Sequence, residues 1–194
     1  MRTKRNDHMT IGGIAEKGFT LVELLIVVII LAILAAIVVP QFASTTNDAR
    51  DSAADSTLAG LRSAIDLYNQ QHNNVYPGAV TAVPAACAGT TAGTGVATGG
   101  AGATAAAAFM EQLSLYTDAA GGACSVGDAV NFRFGPYLKK PNIPSDPYLN
   151  VAALEVVAAG DLDMTAAADP GPGGFKYDSQ TGKIIINLRA EEAR

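Results

Sequence analysis

The chain has 194 residues, of which 49% are hydrophobic and 16% charged, and its formal net charge is −5. That length holds one ordinary domain, or one small domain with a membrane anchor. The acidic balance excludes general nucleic-acid binding, since phosphate contacts need Lys and Arg; the local pair Lys139–Lys140 is either solvated or a contact point for an anionic surface.

Residues 1–18, MRTKRNDHMTIGGIAEKG, read as a processing segment that stands outside the fold. They carry Arg2, Lys4, Arg5 and Lys17 against Asp7 and Glu16, a net of +2, so the remainder of the chain carries −7. Basic residues before a span hold that end in the cytoplasm and leave the rest outside. Residues 19–39, FTLVELLIVVIILAILAAIVV, follow with Glu23 as their single charge. A helix of this length, at about 1.5 Å per residue, matches a hydrocarbon core of roughly 30 Å. The run is too long for an ordinary secretory signal, and no clear A-x-A site follows it.

The helical pattern continues over residues 40–72. Ala54, Leu58, Leu61, Ile65 and Tyr68 recur at spacings of four and three, one face of a helix, while Asp51, Asp55, Arg62 and Asp66 point elsewhere. A single helix from about Phe19 to about Gln71 is predicted, ended by Asn73-Asn74 and Tyr76-Pro77-Gly78. Pro40 lies inside it. Proline removes one helical hydrogen bond, so a kink is expected there, at the outer end of the span where water and neighbouring helices satisfy the freed carbonyl.

Residues 73–194 form the expected globular head. Their first part, residues 79–104, is rich in Gly, Ala and Thr and reads as a loop. It lacks both G-x-x-x-x-G-K-[ST] and G-x-G-x-x-G, which excludes a phosphate loop. Ala105 to Tyr116 is predicted as a second helix with Phe109, Leu113 and Tyr116 on one side. Val130, Phe132 and Phe134 alternate with Asn131 and Arg133, the period of a half-buried strand. Leu154–Ala158 is a weaker strand candidate. Phe175 and Tyr177, then Lys183 to Leu188, form two β-type runs joined by a Gly-containing turn, hence a hairpin. The fold class is α+β: a long N-terminal helix, membrane-spanning in its first half and amphipathic in its second, packed on a small antiparallel β-sheet. Cys87 and Cys124 both fall outside the membrane. An even count without CxxC fits one structural bridge, with two free buried thiols as the alternative.

The junction Lys17-Gly18-Phe19-Thr20-Leu21-Val22-Glu23-Leu24-Leu25 closely resembles the leader of type IV pilins and type II secretion pseudopilins, and Pro40 stands where that family places it. More weakly, GPYLKKPNIPSDPY (Gly135 to Tyr148) is similar to a loop of major pseudopilins, and GGFKYDSQTGKIIIN (Gly173 to Asn187) to the closing hairpin of pilin-like proteins. The resemblance implies cleavage after Gly18 by a prepilin peptidase, N-methylation of Phe19, insertion through an inner-membrane assembly platform, and self-assembly into a helical homopolymer. Three features depart from the family: Ala32 replaces a glycine common in members, the cysteines lie away from the closing strands, and the leader is long.

A carboxylate inside a membrane needs a partner. Cleavage would create one, the new ammonium of Phe19, and pairing with Glu23 of a neighbouring subunit would neutralise both; the alternative is a hydrated Glu23 near the headgroups. No nucleophile motif is present and His72 is the single histidine after the leader, so an enzyme is not expected, nor a cofactor. Asp161 and Asp163, with Asp169 and Asp178 nearby, are weighed as a calcium loop against a solvated acidic loop. The expected role is a filament subunit, of a pilus or of a secretion pseudopilus. Alternatives are a minor subunit that primes assembly or takes up DNA, and a solitary anchored binding module.

Overall fold

The computed structural model describes residues 18–88, 91–96, 101–162, 164–165 and 174–188, without the side chains of residues 40 and 42–44. The chain forms two compact units, Met1–Thr46 and Asn47–Arg194. Helix α1, Leu21–Gln71, begins in the first and ends in the second.

In the first unit, Leu21–Val39 is a 19-residue stretch of mean hydropathy 3.4, long and apolar enough to cross a membrane. None of it is buried. Its large apolar side chains are between 41% exposed at Val38 and 82% at Leu21. A continuous apolar surface of this kind is foreign to a soluble monomer and calls for a cover of lipid or protein.

The second unit is built on the last turns of α1. Ala54, Leu58, Leu61, Ile65 and Tyr68 are all at most 2% exposed, as their spacing predicts. They share one core with Phe109 and Leu113 and with Phe175, Tyr177, Ile184 and Ile186. Each such large side chain contributes about 1.5–3 kcal/mol by leaving water. Asn73 and Asn74 adopt positive φ (54° and 61°), and Asn74 N–H donates to the Asn69 carbonyl at 2.9 Å. That is the six-to-one bond of a Schellman ending, with asparagine where glycine usually stands.

Helix α2, Gly102–Ser114, starts three residues before the predicted Ala105 because the alanine run extends it. Leu115 turns extended, so Tyr116 leaves the helix for strand β1, Tyr116–Thr117, which pairs antiparallel with β2, Ala123–Cys124. Phe109 and Leu113 are fully buried, whereas Tyr116 is 37% exposed. The main sheet has the order β3-β4-β5, with β3 at Leu154–Val157, β4 at Phe175–Asp178 and β5 at Ile184–Ile186. β4 and β5 form the expected antiparallel hairpin. β3 joins β4 in parallel, so the sheet is mixed. The link over residues 158–174 is long enough for the crossover that parallel pairing requires.

The predicted strand at Val130–Phe134 does not form. Asp128 Oδ1 accepts the Val130 and Asn131 N–H groups and folds the segment into a turn. Val130 is left 79% exposed, Phe132 is buried, and Phe134 alone bridges to Thr117. The Gly-, Ala- and Thr-rich segment is pinned where it is described: Ala82 N–H donates to Gly95 O (2.8 Å), Gly93 N–H to Ala123 O (2.8 Å) and Ser125 N–H to Thr91 O (2.9 Å). Side chains at Gly93 and Gly95 would overlap Ala82 and Ala108, which explains glycine at both.

Two buried polar residues tie these pieces together. Gln112 Oε1 accepts Gly78 N–H at 2.7 Å, and its amide donates to the Val80 (3.0 Å) and Gly121 (2.9 Å) carbonyls. Asp146, 1% exposed, accepts Tyr148 N–H (3.0 Å) and Leu149 N–H (2.8 Å) on Oδ1, and Val151 and Gly174 N–H (both 3.0 Å) on Oδ2. The last bond fastens its loop to the start of β4.

Candidate functional site at the start of the apolar helix

Gly18 precedes α1, and a Cβ built on it meets nothing within 4 Å. Phe19 beside it is 80% exposed. Among the described residues, nothing crowds the Gly18–Phe19 peptide bond. Two residues on, the chain enters α1 through a capping box. Thr20 N–H and Thr20 Oγ1 both donate to Glu23 Oε2, at 2.9 and 2.7 Å, and Glu23 N–H donates to Thr20 Oγ1 at 3.2 Å. The carboxylate also stands in the first helical turn, where the helix dipole favours negative charge. Sequence reasoning treats Glu23 as an acid in want of an outside partner. The intact chain already supplies two donors from Thr20, and the T-x-x-E spacing was the missed signal. Further along, α1 runs through Pro40, a residue with no backbone N–H to donate.

Several other residues singled out in the sequence lie in the second unit. Cys87 and Cys124 are joined by a disulfide with a Cα–Cα distance of 5.7 Å. Of the calcium candidates, Asp163 and Asp169 lie outside the described residues. Asp178 is fully buried, and its carboxylate accepts N–H groups of Asp161 (3.0 Å), Gln180 (2.8 Å) and Thr181 (3.4 Å). Carbonyls of the adjoining loop are held by ammonium groups: Lys176 Nζ donates to Thr165 O at 2.7 Å and Lys183 Nζ to Leu162 O. Among the described residues no group of three or more His, Cys, Asp or Glu is placed to hold a metal. His72 is buried, stacks on Tyr68 (3.8 Å between centroids, 6° between planes) and bonds through Nδ1 to the Tyr68 carbonyl at 2.9 Å. Burial lowers its imidazole below the ordinary 6.5, a shift that this hydrogen bond partly opposes.

Residues 9–39 match the family model described as the prokaryotic N-terminal methylation motif. The chain is 42% identical over 62 residues to the type II secretion system core protein G of Pseudomonas aeruginosa, covering 32% of this chain and 43% of that protein. It is 40% identical over 65 residues to the core protein G of Pectobacterium carotovorum, 34% and 41% of the two chains. It is 44% identical over 59 residues to the type IV narrow pilus major component of Thermus thermophilus, 30% and 51% of the two chains. The chain thus spans about half or less of these relatives' length. No solved structure matches it. The methylation motif leads directly into the exposed apolar stretch Leu21–Val39. What the chain shares with these type II secretion and type IV pilus proteins spans about a third of its own length.

Proposed function

We propose that this chain is a structural, non-enzymatic subunit of a type IV pilus or type II secretion pseudopilus filament. A prepilin peptidase cuts between Gly18 and Phe19 and methylates the new Phe19 amine. Before assembly, Leu21–Val39 crosses the inner membrane once, with residues 1–18 cytoplasmic and the head outside. An inner-membrane assembly platform then moves the subunit into a helical homopolymer, in the periplasm or outside the cell. The observation that carries this reading is the helix start. An uncrowded Gly18–Phe19 bond, a capped Glu23 and an apolar stretch with no buried residue follow one another without interruption.

In the filament, neighbouring helices cover the exposed Leu, Ile and Val surface by close packing. At about 25 cal/mol per Å² this burial holds a polymer without covalent links. The Phe19 ammonium of one subunit neutralises Glu23 of another in a dry site. Thr20 holds that carboxylate until the charge arrives. Pro40 marks the weakest hydrogen bonding in the helix and is where its axis bends. The two relatives named as core protein G favour the pseudopilus, and the one named as a pilus component favours the pilus.

The test is twofold. Mass and N-terminal sequencing of the native protein are expected to begin at methylated Phe19; a chain that keeps residues 1–18 refutes the reading. Glu23→Gln retains the capping box, because Gln serves at that position, but removes the charge. Glu23→Gln and Glu23→Ala are both expected to insert normally and to lose filaments. Wild-type filament yield from either refutes the pairing.

A further inference from the structure

The head carries a groove of about 580 Å³ between one turn of α1 and the loop that follows Leu138. Ser56, Thr57 and Gly60 line it from the helix, Lys139 and Lys140 from the loop. Both lysines are exposed. Glycine is the poorest helix former after proline, yet the head's own packing does not call for one here. A Cβ on Gly60 meets nothing within 4 Å. The helix is left bare beside a cationic wall, which admits close approach by another chain.

The other flank of α1 is acidic. At about 100° per residue, Asp48, Asp55 and Asp66 fall on one side of the Ala54–Leu58–Leu61–Ile65 core stripe, and Ser56 and Gly60 on the other. Asp48, Asp55 and Asp66 are exposed. Arg62 shares their flank, and its guanidinium donates to the Ile184 carbonyl at 3.2 Å. One helix segment therefore separates the core from a negative face on one side and a groove with two positive charges on the other. Opposite patches at different places on one subunit fit head to tail, a contact that gives an open polymer when the rotation between copies does not close.

We propose that the Lys139–Lys140 groove receives the Asp48–Asp55 flank of α1 from a second copy of this chain. The inference rests on the filament role above and names a head contact within it. The chain beyond residue 18 is acidic, so heads packed side by side repel one another unless such a contact offsets the repulsion. The groove provides that attraction and fixes the register between neighbours.

Filament yield from the full-length subunit tests this, in cells carrying its assembly machinery. Lys139→Glu with Lys140→Glu, and separately Asp48→Lys with Asp55→Lys, are each expected to lower the yield roughly tenfold, and the fourfold charge swap to restore most of it. Thermal melts of each variant check that the head folds. Lys139→Cys combined with Asp48→Cys is expected to give a disulfide-linked ladder in oxidised filaments. Wild-type yield from the lysine reversal overturns the groove while leaving the filament role standing. So does a charge swap that stays as low as the single reversals with folded heads, or filaments without a ladder. Absence of filaments from the wild-type chain overturns both readings.

Discussion

Replacing Asp146 by asparagine is expected to weaken the head more than any comparably small change. The side chain is buried and accepts four backbone N–H groups at 2.8–3.0 Å, two on each oxygen. An asparagine keeps one oxygen. Its amide nitrogen then faces two N–H donors that it cannot accept, whichever way it is turned. Each buried N–H left unsatisfied costs about 1–3 kcal/mol, and the surviving pair loses the strength of bonds to a charge, so the total is about 4 kcal/mol. A domain is stable by roughly 5–15 kcal/mol, so much of the margin goes. For a domain of this size the melting temperature falls by roughly 10 °C. Near-UV circular dichroism of the mature protein in detergent measures this, with exposed Asp66→Asn as the control, expected to lie within about 0.5 kcal/mol of wild type. A loss below about 1 kcal/mol for Asp146→Asn refutes the reasoning. Acid titration gives a second reading. Burial by itself raises the Asp146 carboxyl, but the N–H groups of Leu149, Gly174, Val151 and Tyr148 outweigh it and hold it below the ordinary 3.8. Its contribution is therefore complete above the unfolded value and lost as pH falls through the lower folded one.

Three further outcomes are expected. His72, lowered by burial, takes up its proton more readily unfolded than folded; stability holds above about pH 6.5 and declines below it, and urea midpoints of His72→Gln lose that slope. Opening the Cys87–Cys124 bridge by Cys→Ser at both positions frees a loop of sequence separation 37 and costs about 4 kcal/mol, read by chemical denaturation under oxidising conditions. Millimolar calcium is expected to shift the melting temperature by less than about 1 °C, because Lys176 and Lys183 already hold the Thr165 and Leu162 carbonyls; a larger rise places a calcium site there.

Periodic features were legible in the sequence. The stripe from Ala54 to Tyr68 and the β4–β5 hairpin each repeat a geometric period, so side-chain chemistry alone identifies them. Asn73-Asn74 marked the helix end because few other residues tolerate positive φ. What failed depended on partners distant in the chain. Alternation at Val130–Phe134 described a strand, but a ladder needs a neighbour, and Asp128 offered the backbone a local turn instead. Parallel pairing of β3 with β4 depends on how the 158–174 link returns, which no local pattern records. Low complexity at 79–104 suggested a loop, and Glu111 fixes part of it by accepting from Thr94 N–H (2.9 Å) and Gly95 N–H (2.8 Å). At the candidate site the Gly18–Phe19 junction and Glu23 stood out at once. The role of Thr20 is equally present in the T-x-x-E spacing, which places its donors beside the Glu23 carboxylate.

The core stripe of α1 has a temporal consequence. Tyr177 bonds to Pro77 a full 100 residues earlier, and Ile184 to Arg62 across 122. A chain made from its N-terminus thus carries Leu58, Leu61 and Ile65 long before the strands that shelter them have been made. Until residues 175–186 emerge, those side chains are wet, sticky and open to proteases or to wrong partners. Closure with such high contact order is slow, so a chaperone has reason to shield the amphipathic turns during this interval.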